Sequence, residues 1–225
     1  MKNKILSNSL NKSGVRELLR KTGEYLESGS LNTVVSLSSI KLIRAMENEE
    51  YGRMITLADM IIFEDIEVLK ALGIATPARS REVEENKYLK EFLRKLVKEQ
   101  REILLAAEND EQLELLEKEL KSLQSNLNIV GRSAADRYLS DKESFINSVN
   151  LLAPEVVLSR MSSSMDLEIL YEYSNYLNAS LWMVLPDKLV ENKKAGWLDK
   201  INKFICKKLL NKKINHSKDT EKSGL

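Results

Sequence analysis

Histidine and cysteine are almost absent from this chain of 225 residues: His216 and Cys206 are the only residues of their types. A single cysteine cannot form an intramolecular disulfide, so nothing in the sequence favours an oxidising compartment. The only histidine, His216, lies in a polar tail. We therefore expect no catalytic triad that needs a histidine in the folded core. A single histidine also leaves no set of ligands for a histidine-containing zinc site built from one chain.

Glycine and proline are also rare, with eight and three residues. The glycines are scattered, and the chain contains neither a phosphate-binding loop nor a dinucleotide fingerprint. Charged residues make up 31% of the sequence and hydrophobic residues 43%, which is typical of helix-rich proteins. Only residues 34–42 and 154–158 are rich enough in Val, Ile and Ser to raise the question of strands.

Long hydrophobic runs are missing as well. The longest, Leu181 to Pro186, is far shorter than the roughly 20 residues that span a bilayer. The first 14 residues lack the apolar core of a signal peptide. We therefore expect a cytoplasmic protein, with peripheral attachment as the only form of membrane association.

The strongest periodic pattern lies in residues 80–130. A leucine seam runs from Leu113 to Val130, and Gly131 follows it where a glycine often ends a helix. Asn109, with Gln112 three residues later, is typical of a helix start. The first half carries apolar residues at spacings of three and four: Leu89, Phe92, Leu93, Leu96, Val97, Ile103, Leu104 and Ala107. The pattern predicts two long helices that fold back on each other as an antiparallel hairpin.

The predicted fold is therefore all-α, a bundle of about seven to nine helices organised around the hairpin. We assign residues 1–190 to the helical domain, residues 195–214 to a basic amphipathic helix, and residues 215–225 to a disordered tail. We expect the hairpin to pair within the chain. A coiled-coil homo-oligomer through the leucine seam is the alternative.

The segment 195–214 is the strongest candidate for a binding surface. Apolar side chains fall on one face of a helical wheel and lysines on the other, which predicts docking on an anionic membrane surface. Packing of the apolar face on the domain, or binding of a partner protein or nucleic acid, are the alternatives. The residues predicted to make the contact are Trp197, Leu198, Lys200, Ile201, Lys203, Phe204, Ile205, Lys207 and Lys208.

The sequence contains no recognisable catalytic, metal or nucleotide motif, and we expect no cofactor. The acidic pair Glu64 and Asp65 is interpreted as part of a solvated helix face. These observations favour a non-enzymatic interaction or adaptor protein with an unknown protein partner, docking peripherally through its last helix. An enzyme with a carboxylate- or tyrosine-based site is a further hypothesis, although no motif supports it.

A nucleic-acid-associated regulator is the alternative function. Residues 1–21 carry six basic residues against one acid, and residues 193–213 carry eight lysines against one acid. Leu69 to Arg81 resembles the turn of a helix-turn-helix motif, with Arg79 and Arg81 as further basic residues, although Pro77 falls in the would-be recognition helix. Binding through these residues is expected to weaken steeply with salt.

Overall fold

The computed structural model describes residues 13–138, 141–161 and 164–189. The strands of these residues are β1 (Asn32–Leu37), β2 (Met60–Phe63), β3 (Ile103–Ala107), β4 (Ile129–Ala134), β5 (Val156–Arg160) and β6 (Leu181–Val184). The helices are α1 (Val15–Leu26), α2 (Ser39–Glu47), α3 (Glu49–Thr56), α4 (Ile66–Ala71), α5 (Pro77–Glu84), α6 (Lys87–Lys98), α7 (Asp110–Leu123), α8 (Lys142–Leu151) and α9 (Met165–Tyr173). Two short 3₁₀ turns follow β4 and α9, at Ala135–Tyr138 and Ser174–Tyr176.

The six strands form one sheet in the order β2-β1-β6-β5-β3-β4, and all neighbouring strands are parallel. The chain runs from β1 to one edge of the sheet, then crosses to build β3 and β4 at the other edge. Strands β5 and β6 fill the space between these two pairs. All six carboxyl ends therefore lie along the same edge, which we call the carboxyl edge.

Helices cover both faces of the sheet, so the architecture is α/β with three layers. On one face, alternate strand residues such as Val35, Val157 and Trp182 pack against apolar residues of α2, α3, α8 and α9. On the other face, residues such as Val34 and Leu105 pack against apolar residues of α1, α6 and α7. Parallel sheets are stable in water only when both faces are covered in this way.

The predicted all-α bundle is wrong, and so is the hairpin on which it depended. The first half of the pattern ends with α6, and Ile103–Ala107 is the fully buried strand β3. The leucine seam is the inner face of α7 up to Leu120, whereas Val130 and Gly131 belong to β4. A Cβ atom on Gly131 would collide with Leu152, so this glycine permits close packing and does not end a helix. The seam therefore packs on the sheet and forms no coiled coil.

The remaining strands were misread for the same physical reason. The runs Met60–Phe63 and Leu181–Val184 are short, continuously apolar and mostly or fully buried. A strand buried on both faces has no alternation of polar and apolar residues, so periodicity cannot distinguish it from a piece of buried helix. Residues 34–42 and 154–158, where strands were considered, contain most of β1 and part of β5.

The predicted helix start at Asn109 is confirmed, and other local features also follow from nearby residues. Helix α1 buries Val15, Leu18 and Leu26 on its inner face. Asn109 accepts a hydrogen bond from the backbone N–H of Gln112 at 2.9 Å, as its spacing predicts for a helix cap. Gly73 adopts a positive φ of 69° just after α4, a conformation that favours glycine. Short-range signals are therefore reliable here even where the element type was misjudged.

No helix of the described residues is long and apolar enough to cross a bilayer. The boundary near residue 190 and the two segments beyond it, 195–214 and 215–225, stay predictions because they lie outside the described residues.

Leu105 distinguishes the sheet from the hairpin. It lies off the predicted apolar helix face, yet in β3 it is 0% exposed. We expect Leu105→Ala to lower the free energy of unfolding by about 2–5 kcal/mol, because it leaves a cavity in a packed core. Leu115→Ala, on the outer side of α7 where the side chain is 49% exposed, should change it by less than about 0.5 kcal/mol. Urea unfolding followed by circular dichroism measures both, and similar small losses would contradict the buried strand.

Candidate functional site

Charged side chains gather at the carboxyl ends of four neighbouring strands. Glu64 directly follows β2, Lys41 lies in the first turn of the helix that follows β1, and Asp187 follows β6. Asp166 lies in the first turn of α9, shortly after β5. Because the strands are parallel and adjacent, the fold brings these four residues to one place although they are far apart in sequence.

Lys41 is placed by the sharp start of α2. The side chain of Ser38 caps this helix by accepting a hydrogen bond from the Lys41 backbone N–H at 3.2 Å. The helix therefore begins immediately after β1. The Lys41 side chain turns back over the end of that strand, where its Nζ donates a hydrogen bond to the Ser36 carbonyl oxygen at 3.3 Å.

The centre of the site is an ion pair between Lys41 and Glu64. Lys41 Nζ lies 2.7 Å from Glu64 Oε1 and 3.5 Å from Asp187 Oδ1. The side chains of Lys41 and Glu64 are only 12% and 10% exposed, whereas that of Asp187 is 63% exposed. One nearly buried cation thus contacts a nearly buried carboxylate and a solvated one at the edge of the sheet.

Asp65 has a structural role beside this pair. Its Oδ2 accepts hydrogen bonds from the backbone N–H and the hydroxyl of Ser39, at 2.8 and 2.7 Å. Its Oδ1 accepts the backbone N–H of Val68 at 3.0 Å and so caps α4. Both oxygens are therefore occupied. Oδ2 connects the turn after β2 with the turn after β1, and Oδ1 caps α4. Glu64, and not Asp65, is therefore the carboxylate of this pair that is available for chemistry.

The surroundings shift the proton affinities of the central pair. Burial raises the pKa of Glu64, and the nearby positive charge of Lys41 offsets part of this shift. Burial alone would lower the pKa of Lys41, but Glu64 and Asp187 more than reverse this effect and raise it. Lys41 consequently stays protonated, while Glu64 is a carboxylate with more than the usual affinity for a proton. These are the properties of a general base.

Asp166 is the second buried carboxyl group at this edge. It is 4% exposed, and its Oδ2 accepts the backbone N–H of Met161 at 2.9 Å. Burial raises its pKa to about 6, although the Ser159 hydroxyl, the Met161 N–H and Lys41 favour the ionised form. Below it, Ser159 Oγ accepts a hydrogen bond at 2.8 Å from Trp182 Nε1, which connects β5 to β6.

Two buried side-chain atoms of the described residues have no hydrogen-bond partner, Ser36 Oγ and Asp166 Oδ1. Both belong to residues near the carboxyl ends of their strands or just beyond them. Unpaired buried polar atoms are uncommon in folded proteins because they lose solvation without replacement. Their occurrence at the edge that also holds the Lys41–Glu64 pair makes this edge the candidate functional site.

A cavity elsewhere among the described residues and a search for metal-binding groups give no better candidate for the site. A cavity of about 520 Å³ lies at the opposite edge of the sheet, between α3 and α9, with Thr33 and Asp59 among its lining residues. Asp59 Oδ2 is occupied there by hydrogen bonds from the N–H and hydroxyl of Thr33. Within the three described ranges, no group of three or more His, Cys, Asp or Glu side chains is arranged to hold a metal ion.

The structure does not test the site residues predicted from the sequence. All nine, from Trp197 to Lys208, lie outside the described residues. Of the residues assigned to nucleic-acid binding, Arg79 and Arg81 belong to α5, and Arg79 Nη2 donates to the Ser13 carbonyl oxygen at 3.5 Å. The predicted surface at residues 195–214 therefore stays a prediction, and the candidate site among the described residues is the Lys41–Glu64 pair with its neighbours.

Sequence reasoning missed Lys41, Asp166 and Asp187, and it misjudged Glu64. The interpretation of Glu64 as part of a solvated helix face is wrong, because the residue follows a strand and its side chain is 10% exposed. The available signal was an acidic pair directly after the apolar run Met60–Phe63. That signal has meaning only once the run is recognised as a strand with its carboxyl end at a ligand-binding edge.

Comparison with known proteins identifies a family for the chain. The model of the glycosyl transferase WecG/TagA/CpsF family matches residues 3–185, which is most of the chain. No curated protein shows significant similarity to the sequence. The matched residues include all six described strands and both Lys41 and Glu64. The predictions of a non-enzymatic adaptor and of a nucleic-acid regulator are therefore wrong, because the matching family is one of enzymes.

The central ion pair makes a pH-dependent contribution to stability. In Lys41→Met, Glu64 loses its cation and its pKa rises further, so ionised Glu64 opposes folding. A carboxyl whose pKa is raised by folding favours the folded state at low pH, and this contribution disappears as the pH rises through the raised pKa. We expect Lys41→Met to cost about 3–5 kcal/mol at pH 8 and clearly less at pH 5.

Urea unfolding of wild type and variant at both pH values measures this difference. Lys70→Met is the matched control, because Lys70 pairs with Glu67 at the surface and its side chain is 47% exposed. It should cost less than about 1 kcal/mol at either pH. Adding Glu64→Gln to Lys41→Met should recover part of the loss at pH 8. An equal loss at both pH values would show that Glu64 is not the group left uncompensated.

Proposed function

Because the chain belongs to the glycosyl transferase WecG/TagA/CpsF family, we propose that it transfers a sugar from an activated donor to a hydroxyl group at the carboxyl edge of its sheet. The observation that carries this proposal is the nearly buried Glu64, held 2.7 Å from Lys41 between the ends of β1 and β2. Ligands of open parallel α/β sheets bind outside the carboxyl ends of the strands, where the strand order changes direction.

Glu64 is the general base of the proposed reaction. The acceptor hydroxyl loses its proton to the Glu64 carboxylate while its oxygen forms a bond to the anomeric carbon of the sugar. At the same time the bond between that carbon and the oxygen of the leaving group breaks, and the leaving group takes the electron pair. A raised pKa suits this role, because a base near the working pH combines ionisation with affinity for the proton.

Lys41 and Asp65 orient the base and do not react. Lys41 fixes Glu64 Oε1 and favours its ionised form, which opposes the increase in pKa that burial causes. Asp65 holds the turns after β1 and β2 together through Ser39 and Val68. A base that is already held in place loses less freedom when the acceptor arrives.

The donor in this proposal is a sugar phosphate ester, such as a nucleoside diphosphate sugar. Glycosyl transfer to a hydroxyl group needs a leaving group that is stable as an anion, and phosphate and diphosphate meet that need. The crevice at the carboxyl edge of a doubly wound sheet is where phosphate-containing cofactors and substrates bind in many α/β proteins. Which sugar and which acceptor react is decided by assay.

Replacing the base gives the direct test. We expect Glu64→Gln to lower kcat by at least about 100-fold, because glutamine keeps the shape of the side chain but cannot accept the proton. Glu67→Gln, three residues along the chain, removes a carboxyl group that pairs with Lys70 and should change kcat by less than about twofold. The assay follows release of the nucleoside diphosphate from a panel of sugar donors and sugar acceptors.

The pH dependence gives a second readout of the same proposal. In the wild type, kcat should rise with pH through the raised pKa of Glu64 and then level off. This rise should be absent from the residual activity of Glu64→Gln. Activity of Glu64→Gln equal to that of the wild type would exclude Glu64 as the base, and the proposed reaction centre with it.

We also propose that the protein docks peripherally on an anionic membrane surface through residues 195–214. Support comes from the sequence, where eight lysines and one acid occupy residues 193–213 together with Trp197 and Phe204. The described part of the chain ends shortly after the site, because Asp187 lies 3.5 Å from Lys41, and the segment begins six residues after Leu189 in the sequence. Docking through the segment would bring the transferase site close to acceptors at the surface.

Flotation with liposomes that contain anionic lipid tests the docking. We expect the full chain to float, while a chain ending at Lys194 and the double variant Trp197→Glu/Phe204→Glu stay in the soluble fraction. Circular dichroism checks that the secondary structure of both altered proteins is retained. Flotation of all three proteins, or of none, would exclude this segment as the anchor.

A further inference from the structure

Large hydrophobic side chains are exposed mainly at the amino ends of the strands, the edge of the sheet opposite the Lys41–Glu64 pair. Of the eight such side chains among the described residues, only Ile40 and Leu115 lie elsewhere. Single exposed hydrophobic residues are normal in soluble proteins, whereas a contiguous group marks an interaction surface. The six residues at the amino edge, which we call the apolar strip, are Leu57, Val130, Leu151, Leu152, Tyr171 and Tyr176.

One end of the strip surrounds a cavity. Leu57 and Tyr171 both line the cavity of about 520 Å³ between α3 and α9, and Asn175 lines it next to Tyr176. The first half of the strip is therefore continuous from the end of α3 to the turn that follows α9.

The other end of the strip crosses from α8 to β4. The side chain of Asn150 donates from Nδ2 to the carbonyl oxygen of Tyr176 at 2.6 Å, so the end of α8 with Leu151 lies against the turn after α9. Leu152 packs over the glycine of β4 that follows Val130. The six side chains thus form one surface and not six separate contacts with solvent.

The centre of the strip carries no charge. Residues 144–154 and 173–186 supply Leu151, Leu152 and Tyr176, and neither segment contains an acidic or basic residue, although 31% of the chain is charged. Nucleic acids and anionic membranes both bind through cations on the protein surface. Depletion of charge together with exposed tyrosine is instead typical of the core of a protein–protein interface.

Both ends of the described chain lie away from the strip. The described residues begin at Ser13, which lies with Phe63 and Pro186 around a small hollow beside the carboxyl ends of β2 and β6. They end at Leu189, just after the carboxyl end of β6. The terminal segments therefore leave the described structure at the opposite edge, which favours a separate molecule as the occupant of the strip.

The strip suits a second copy of itself. In a dimer with a two-fold axis the same patch lies on both sides of the interface, so a net charge on the patch would face its own sign. An uncharged centre avoids this repulsion. The strip also contains the two shapes that self-pairing needs, a concave part at the cavity beside Leu57 and a protruding part at Leu151, which is 86% exposed.

We propose that two copies of the chain form a symmetric dimer through the apolar strip. The dimer buries Leu57, Leu151 and Tyr176, and it leaves the carboxyl edge of each copy, with its Lys41–Glu64 pair, open to substrate. This inference does not depend on the transferase activity, because it uses the other edge of the sheet.

Sedimentation equilibrium of the full chain over a range of micromolar concentrations gives the test. We expect the wild type to reach twice the chain mass of 25.7 kDa. Leu151→Lys and Tyr176→Lys should each raise the dimer Kd by at least about tenfold, because each places an unpaired charge in the interface on both sides of the axis. Both residues are exposed in the single chain, so circular dichroism should show unchanged secondary structure.

Leu115→Lys is the matched control. Leu115 is also an exposed large hydrophobic residue, at 49%, but it lies on α7 and outside the strip. This variant should keep the dimer Kd of the wild type within about twofold. Salt gives a second readout, because an apolar interface should not weaken when the ionic strength is raised to about 1 M, where exposed charges are screened.

The other outcomes each overturn the inference. A wild type that stays monomeric excludes the dimer, and a dimer that either strip substitution leaves intact uses another surface. Equal weakening by Leu151→Lys and Leu115→Lys would show non-specific association. A monomeric wild type whose flotation with liposomes is lost in Leu151→Lys would identify the strip as a lipid contact. None of these results bears on Glu64 as the base of the proposed reaction.

Discussion

A parallel sheet must be covered on both of its faces, and most of this molecule follows from that constraint. Six parallel strands require crossovers, the crossovers supply helices, and the helices cover the two faces with separate cores. The same geometry places every carboxyl end on one edge. Residues with no relation in the sequence, such as Lys41 and Asp187, meet there at 3.5 Å only because β1 and β6 are neighbours.

The site at this edge keeps one cation among several carboxyl groups. Lys41 contacts Glu64 and Asp187 and acts on Asp166. Burial raises the pKa of Glu64, and Lys41 limits the shift, and both effects suit the role of general base that we propose for this residue. Asp65 contributes by occupying both of its oxygens with hydrogen bonds that fix the adjacent turns.

Local structural features could be predicted from the sequence, whereas the sheet and the site could not. The cap at Asn109 and the inner face of α1 depend on neighbours within a few residues, so the sequence reveals them directly. Strands such as Ile103–Ala107 are buried on both faces and lack alternation, so their apolar residues were counted as helix. Without strands there is no carboxyl edge, and without that edge Glu64 looks like an ordinary surface acid.

The central position of β6 affects how this protein is made. β6 lies between β1 and β5, yet it is the last strand of the described chain to be synthesised. Until it emerges from the ribosome, β1 has a free edge on the side that β6 later fills, and a free edge can pair with other chains. The enzyme centre cannot assemble on a partly made chain, so a ribosome that stalls before residue 181 leaves an aggregation-prone intermediate.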